Sequence, residues 1–439
     1  MTHTLRILGG LILIGFALPG QAFDLIGAWQ AAREYNADFA AARAERDAGQ
    51  EKAVQGRALL LPQASLTGNY SYTNPIEPAQ YQGVPAQSRY ESHGYTLGLQ
   101  QPLFDMGKYT GYQKGKIGTQ LAETSFNASE QQLIVDIAQA YFDVLRARDT
   151  LAATRASKKT YLNLLEQAKT AFEVGTATIT DTNEAQAGYD GAVAQEIIDV
   201  SNLELAENNL KRLTGLEPAA IQPVQDQLPL VPPKPADVNA WIGMGQLSSL
   251  KVKSAEQNLA LAKQTVLEKQ GNHLPTIALS AGYSDTISNQ PATLPQSRGS
   301  NIGVTVTLPL FAGGGINSQV REAVAQEQAA REQLEAARRQ VKEDVRKAYL
   351  GVSNGAALVR AQQQLLVSAK SKVESTRLGK EVGIRTSIDL LQAEQSYYAA
   401  VTSLANAKYN YLTARLALAQ AVGQLDPQTL SDVNQVIRR

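Results

Sequence analysis

Four segments of the chain alternate between apolar and polar residues, which is the pattern of β-strands that have one apolar face. In the first segment Leu66 and Tyr70 fall on one face, whereas Thr67 falls on the other. A polar, proline-containing loop separates the two segments of each pair. The predicted strands cover about 63–73, 94–102, 275–284 and 300–309.

Strands of about ten residues with this alternation occur in outer-membrane barrels, which face lipid on one side and water on the other. The pattern also fits a soluble β-sandwich with one solvated face. Four strands cannot close a barrel, since bacterial barrels begin at about eight strands, and lipid does not tolerate an open sheet edge. If these strands lie in a membrane, several chains must therefore share one barrel.

Long proline-free stretches with helical periodicity follow each strand pair, and another helix is predicted over 24–60, ahead of Pro62. Apolar residues form two stripes on the first long helix, one of them through Ile134, Ala138 and Tyr141. Two stripes favour a helix that contacts two neighbours, whereas a dimeric coiled coil needs only one. Long helices are predicted over 112–173 and 316–381, and a returning helix follows each of them over 181–214 and 388–422. The two helical regions therefore cover 112–214 and 316–422, each with one turn inside it.

All of these elements occur twice. Leu61–Pro62 recurs 213 residues later as Leu274–Pro275, and Pro102–Leu103–Phe104 recurs 207 residues later as Pro309–Leu310–Phe311. Four later landmarks recur with one common spacing of 208 residues, which indicates a duplicated structural unit. They are Ala140–Tyr141, Val174–Gly175, Asp181 and Gly215, which recur as Ala348–Tyr349, Val382–Gly383, Asp389 and Gly423.

The duplication divides the chain into two predicted repeats, each with the order helix, strand, strand, long helix, helix. The first repeat covers 23–217 and the second covers 238–425. Residues 218–237 are rich in proline and are predicted to form an extended linker between them. Residues 426–439 form a C-terminal tail.

The N-terminal residues 1–22 have the features of a secretory signal peptide: the basic Arg6, a short apolar run and small residues before Ala22. The alternative is a short N-terminal anchor. After Ala22 no apolar run approaches the roughly 20 residues of a membrane-spanning helix. We therefore expect an exported protein without an embedded helix.

Composition excludes several kinds of function. The 41 basic and 41 acidic residues balance, so that nothing favours binding to nucleic acid. The chain has no cysteine, which excludes disulfides, thiolate metal sites and lipidation of an N-terminal cysteine. His93 and His273 have no partner motif, and Gly313–Gly315 lacks the Lys-Ser/Thr that follows in a phosphate loop. We predict no enzymatic activity and no cofactor or metal.

Together these motifs resemble those of TolC-type outer-membrane channels, the outer-membrane factors of type I secretion and multidrug efflux. The resemblance covers residues 23–425 and rests on the Leu-Pro strand starts, the Pro-Leu-Phe strand ends and the two Val-Gly turns. Its most specific part is the segment 382–391, Val-Gly-Ile-Arg-Thr-Ser-Ile-Asp-Leu-Leu. It implies a mainly α fold with membrane β-strands, in which three chains share a twelve-stranded barrel and a long periplasmic α-helical barrel.

That family implies an exit duct that carries secreted proteins or small toxic compounds across the outer membrane of a Gram-negative bacterium. Its implied partners are two further copies of the chain, outer-membrane lipid, a periplasmic adaptor and an inner-membrane ABC or proton-driven pump. The alternative is an extracellular coiled-coil structural protein, such as an adhesin-like filament subunit. A filament protein does not require four strands that alternate between apolar and polar residues, so that this pattern favours the channel.

The resemblance also assigns candidate site residues at the periplasmic end. Asp389 matches an acidic ring at the constriction, and the second ring position falls on Gln392. Arg385 and Asp181 match a latch of the closed state, whereas Lys380 replaces a tyrosine of that latch. The adaptor is expected to dock at Val174, Gly175, Val382 and Gly383.

A simpler role for both aspartates is helix capping. Each lies in the first turn of a returning helix, where the helix dipole favours an acid. Thr180 and Ser387 are the predicted N-cap residues of these helices.

Overall fold

The structure is a computed structural model that describes residues 23–74, 80–81, 84–85, 89–218, 221–225, 227–290, 294–435 and 437. The predicted signal peptide, residues 1–22, lies outside the described residues. The loop prolines Pro75, Pro78 and Pro291 lie outside them as well.

Helices dominate the fold, and the helices and long strands of the first half recur in the same order in the second half. The first half contains α1 (Leu25–Tyr35), α2 (Ala37–Ala58), β1 (Gln63–Thr73), the short β2 (Gln80–Tyr81) and β3 (Val84–Pro85), β4 (Tyr90–Phe104), α3 (Met106–Glu173) and α4 (Ile179–Thr214). The second contains α5 (Val238–Ser248), α6 (Leu250–Gly271), β5 (Thr276–Ser288), β6 (Gln296–Thr307), α7 (Gly315–Glu381), α8 (Ser387–Ala421) and α9 (Pro427–Asn434).

The prediction of one helix over 24–60 is wrong, because Asn36 interrupts the helix. The backbone of Asn36 is extended, and its side-chain oxygen accepts a hydrogen bond from the Phe39 backbone N–H at 2.9 Å. Asn36 therefore ends α1 and caps α2. Ser249 makes the equivalent break between α5 and α6.

The predicted start of the first long helix at residue 112 is too late. The helix α3 already begins at Met106, because the Asp105 carboxylate caps it through the Lys108 N–H at 3.0 Å. Gly107 and Gly111 both lie inside this helix. A Cβ on Gly111 would meet the Leu59 side chain at 2.6 Å, so that this glycine lets α2 and α3 approach closely.

Four long strands form one antiparallel sheet in the order β1-β4-β5-β6. Leu97 of β4 lies opposite Leu66 of β1 and opposite Tyr283 of β5, and Leu279 of β5 lies opposite Val304 of β6. Opposite residues point to the same side of a sheet, so that the four predicted apolar faces merge into one. Most of these side chains are exposed, and Leu66 is 72% exposed.

The hydrophobic core lies in the helical part, where α3 meets α1, α4 and α8. Tyr141 and Tyr411 are fully buried there. The Tyr141 hydroxyl donates to the Gln222 carbonyl at 2.8 Å, and the Tyr411 hydroxyl donates to the Val231 carbonyl at 2.9 Å. These two bonds attach the proline-rich segment between the halves to the core.

Beyond this core, α3 and α4 form one helical hairpin, and α7 and α8 form a second. The 68 residues of α3 extend about 100 Å at about 1.5 Å per residue. None of the helices in the described part of the chain combines the length and apolarity needed to cross a bilayer. The far ends of the hairpins carry the predicted site residues.

Candidate functional site: the two helix turns

The two hairpin turns have the same backbone conformation. Gly175 and Gly383 both adopt left-handed conformations, with φ of 78° and 80°. The Thr176 N–H donates to the Ala171 carbonyl at 2.8 Å, and the Ile384 N–H donates to the Gly379 carbonyl at 2.9 Å. A left-handed residue at a helix C-terminus favours glycine because other residues meet a steric penalty there.

A complete capping box follows each turn. The Thr178 N–H donates to the Asp181 carboxylate at 2.9 Å, and the Asp181 N–H donates to the Thr178 hydroxyl oxygen at 3.2 Å. Thr386 and Asp389 repeat both bonds at 2.9 and 3.1 Å. The prediction that Thr180 and Ser387 are the N-caps is therefore wrong, because the threonine three residues before each aspartate takes that role.

These capping bonds keep both aspartates charged. The backbone N–H of Thr178, followed by its hydroxyl and the more distant Lys380, lowers the pKa of Asp181. Thr386 lowers the pKa of Asp389 in the same way, with Arg385 and Lys372 adding to it. A lowered pKa means that the stabilisation is complete at neutral pH and is lost only as the pH falls through the lowered value.

The two predicted latch residues do not meet within one chain. Asp181 and Lys380 line the same small cavity between the two hairpins, with Glu184 and Leu391 beside them. Arg385 instead extends along α7, where its Cγ lies 2.7 Å from the position of a Cβ on Gly379. Within one chain, Lys380 is therefore the cation that acts on Asp181, whereas Arg385 acts on Asp389.

Glu184 is a residue of this site that sequence reasoning missed. One of its carboxylate oxygens is shielded from solvent and has no hydrogen-bond partner among the described residues. Glu184 lies 208 residues before Gln392, so that it occupies the equivalent place in the first half. The spacing of the repeats was the signal that would have identified it. The first half therefore retains an acid where the second half has the exposed, uncharged Gln392.

An ion pair with one buried partner lies next to the turns. Glu394 of α8 is 3% exposed and accepts a bond from the Arg377 guanidinium of α7 at 2.9 Å. Burial raises the pKa of Tyr161 and of Tyr398, and the nearby Glu394 carboxylate raises both further. Glu394 thus lies inside the helical wall near the turns, with Arg377 as its hydrogen-bond partner.

The residues expected to dock the adaptor lie at the surface. Val174 is 68% exposed and Val382 is 64% exposed, each directly before its turn glycine. Ile384, which follows Gly383, is 78% exposed. Both turns therefore present apolar side chains to solvent at the tip of the molecule.

An antiparallel sheet with an exposed apolar face, joined to helical hairpins far longer than a globular core requires, defines an outer-membrane export channel. The sequence model of the family described as outer membrane efflux protein matches residues 28–216 and 241–424. The chain belongs to this family. The two matched segments fall on the two halves of the chain.

Relatives and a solved structure agree with this assignment. Outer membrane protein TolC of Salmonella enteritidis is 35% identical over 445 residues, covering 100% of this chain and 89% of that protein. The alkaline protease secretion protein AprF of Pseudomonas aeruginosa is 31% identical, covering 98% and 90%. The outer membrane protein VceC of Vibrio cholerae has the same fold, with a TM-score of 0.78 at 20% identity over 92% of this chain and 97% of that chain.

The chain is therefore an outer-membrane exit duct for secretion and efflux in a Gram-negative bacterium, and it is not an enzyme. The predicted family, the mainly helical fold with membrane strands, the function and the location are confirmed. The alternative of an adhesin-like filament protein is rejected.

Proposed function

We propose that three copies of this chain form one continuous channel. The observation that carries this proposal is that β1 and β6 are the outer strands of a sheet whose apolar face is exposed. Each copy then offers two strand edges, which lipid does not tolerate unless they pair. Three copies supply twelve strands, the number that the resemblance to TolC-type channels implies.

This trimer is tested by measuring the mass of the purified channel in mild detergent. We expect a homotrimer, recovered from the outer-membrane fraction. A monomer that conducts ions after insertion into a planar bilayer would refute the shared barrel.

The turns are proposed to receive a periplasmic adaptor, which connects the duct to an inner-membrane ABC or proton-driven pump. The exposed Val174 and Val382, each beside its turn glycine Gly175 or Gly383, support a docking surface of small apolar contacts. The proposed cargo is secreted protein, small toxic compounds or both, which fits relatives named for protease secretion and for efflux. Deletion of the gene, with secretion and drug susceptibility measured together, distinguishes these cargoes.

Asp389 is proposed to form a single acidic ring around the channel axis, without a contribution from Gln392. Three carboxylates around one axis attract cations, so that multivalent cations added from the periplasmic side should block conductance. We expect Asp389→Asn to relieve this block in planar bilayers. Capping lowers the pKa of Asp389, whereas the like charges of a ring oppose full ionisation, so that the block of the parent channel should weaken as the pH falls and the carboxylates become protonated.

The matched control for Asp389→Asn is Thr386→Ala, which weakens the same capping box and keeps the Asp389 charge. It should weaken capping to the same degree and leave the block unchanged. Equal effects of the two substitutions would show that Asp389 is only a capping residue.

Arg385 and Asp181 are proposed to latch the closed channel by pairing between neighbouring protomers. We expect Arg385→Ser, especially with Asp181→Ala, to raise the single-channel conductance and to admit large antibiotics. Three such pairs that open together can shift a two-state equilibrium by roughly five- to a hundredfold. Trimer yield should not change.

Asp181→Ala also removes half of a capping box, so that the latch needs its own control. Thr178→Ala weakens the same cap without removing the charge. If Thr178→Ala leaks as much as the double variant, fraying of α4 explains the effect and no latch is present. Lys380→Gln then tests whether the cavity that Lys380 shares with Asp181 holds the turns together.

A further inference from the structure

The charged side chains of the sheet lie on one face and toward one end. Among the described strands, the residues with an ionisable side chain other than tyrosine are Glu91, His93, Asp285 and Arg298. All four share the exposed apolar face, since each lies an even number of residues from an apolar member of that face, as Asp285 does from Tyr283. The opposite face of the described strands carries none. In the proposed channel the strand charges therefore lie on the outside and not in the interior.

Along the strands this exposed face changes from aliphatic to aromatic and then to charged. Near the helices it carries aliphatic side chains such as Leu279 and Val304, which lie opposite each other. The rings of Tyr95 and Tyr283 follow, with centroids 6.2 Å apart. The charged residues begin with Asp285, opposite Tyr95, and continue toward the loops. Tyrosines mark the boundary between acyl chains and headgroups in membrane proteins, so that the charged end of the face lies at the level of the headgroups.

Strand geometry places this charged end one apolar layer away from the helices. Arg298 lies eight residues from Val306 on β6, which is about 26 Å along the strand at about 3.3 Å per residue. A strand tilt of about 40° reduces this to about 20 Å across the membrane, close to the roughly 25 Å apolar band of outer-membrane barrels. The helices join the strands at the other end, beside Thr276 and Thr307. Since the helical part extends into the periplasm, Arg298 lies at the outer leaflet.

Arg298 is held in place by a carboxylate that is itself almost buried. The Arg298 Nε donates to one oxygen of the Asp285 carboxylate at 2.9 Å, and the Gln296 side-chain amide donates to the other oxygen at 2.9 Å. The Asp285 side chain is 10% exposed, whereas the Arg298 side chain is 62% exposed. Within the described part of the chain, the two terminal nitrogens of this guanidinium have no hydrogen-bond partner. Asp285 therefore fixes the arginine through Nε and leaves both terminal nitrogens available to an anion.

We infer that Arg298 binds a phosphate group of lipid A, the phosphorylated glycolipid of the outer leaflet, with one site on each protomer. The two terminal nitrogens of a guanidinium match two oxygens of one phosphate. The other acid of the described strands, Glu91, lies four residues past Tyr95, about 13 Å farther along β4, and so does not face this phosphate. The inference rests on the proposed barrel, with this face toward lipid, and adds the lipid that the barrel binds.

Binding of lipid A to the purified trimer in mild detergent, measured by native mass spectrometry, tests this site. We expect the parent channel to retain lipid A and Arg298→Gln to bind it about tenfold more weakly or less, since a hydrogen bond between charged groups is lost. Arg331→Gln is the matched control and should bind lipid A like the parent, because Arg331 is also an exposed arginine paired with an acid but lies on α7. Lipid A without its phosphates should bind the parent and Arg298→Gln equally.

Arg298→Gln leaves the Asp285 carboxylate without its cation, which lowers stability. The double variant Asp285→Asn with Arg298→Gln has no unpaired charge at this place and should lose lipid A to the same extent. Trimers of either variant that bind lipid A as tightly as the parent would overturn the lipid site and leave the shared barrel intact. Inorganic phosphate should not displace lipid A, and full displacement would show a site for the free ion instead. A monomeric mass for the parent channel would overturn the barrel on which the inference rests.

Discussion

Leu97→Arg should prevent stable insertion of the sheet into the outer membrane. Leu97 is the middle residue of β4, between Leu66 and Tyr283 on the exposed apolar face. An arginine facing lipid at this depth costs about 2–4 kcal/mol, and a trimer carries three of them. We expect little channel in the outer-membrane fraction and a lower free energy of unfolding in lipid, measured by denaturant titration.

Thr96→Arg is the matched control, because Thr96 is the neighbouring residue of the same strand and points to the opposite, polar face. It should cost much less free energy of insertion, since in the proposed channel that face borders the water-filled interior. Similar losses for the two variants would mean that the apolar face does not meet lipid, which would contradict the orientation of the sheet.

The strands were predictable because burial in lipid on one side and water on the other imposes a period of two residues on the sequence. The duplication was predictable because both halves keep the same landmarks, such as Gly175 and Gly383, where the backbone requires a left-handed residue. Neither prediction needed long-range contacts.

Element ends were less predictable, because short-range hydrogen bonds decide them. Asp105 starts α3 six residues earlier than the predicted start at 112, and Asn36 divides a stretch that has unbroken helical composition. Thr178 and Thr386 are the N-cap residues because each has an aspartate three residues later, which completes the reciprocal hydrogen bonds of a capping box.

Contacts across the site were least predictable, since they depend on which faces of two distant helices meet. The resemblance to TolC-type channels shows that Lys380 stands where the family has a tyrosine. Only the fold places Lys380 in a cavity with Asp181 and Glu184. Glu394 lies among apolar positions of α8, and no pattern in the sequence pairs it with Arg377. The 208-residue spacing of the repeats could have identified Glu184, but only the fold shows that one of its carboxylate oxygens is shielded from solvent.

The ion pair between Arg377 and Glu394 connects α7 to α8 next to the turns. The Glu394 side chain is 4% exposed, whereas the Arg377 side chain is 57% exposed. Removing the arginine leaves a buried carboxylate without its countercharge. Replacing both charged residues with apolar ones often leaves the stability unchanged or raises it, because no charged group then has to be desolvated.

Arg377→Met should therefore destabilise the α7–α8 hairpin by about 1–3 kcal/mol, because it leaves the buried carboxylate of Glu394 without its hydrogen-bond partner. The double variant Arg377→Met with Glu394→Leu should recover most of the loss. Arg331→Met, which breaks the surface pair with Glu327, should cost only about 0.3–0.5 kcal/mol. Thermal unfolding and hydrogen exchange along α8 measure all three. A double variant as unstable as Arg377→Met would show that packing of the arginine stem, and not the unpaired Glu394 charge, sets the stability of this end of the channel.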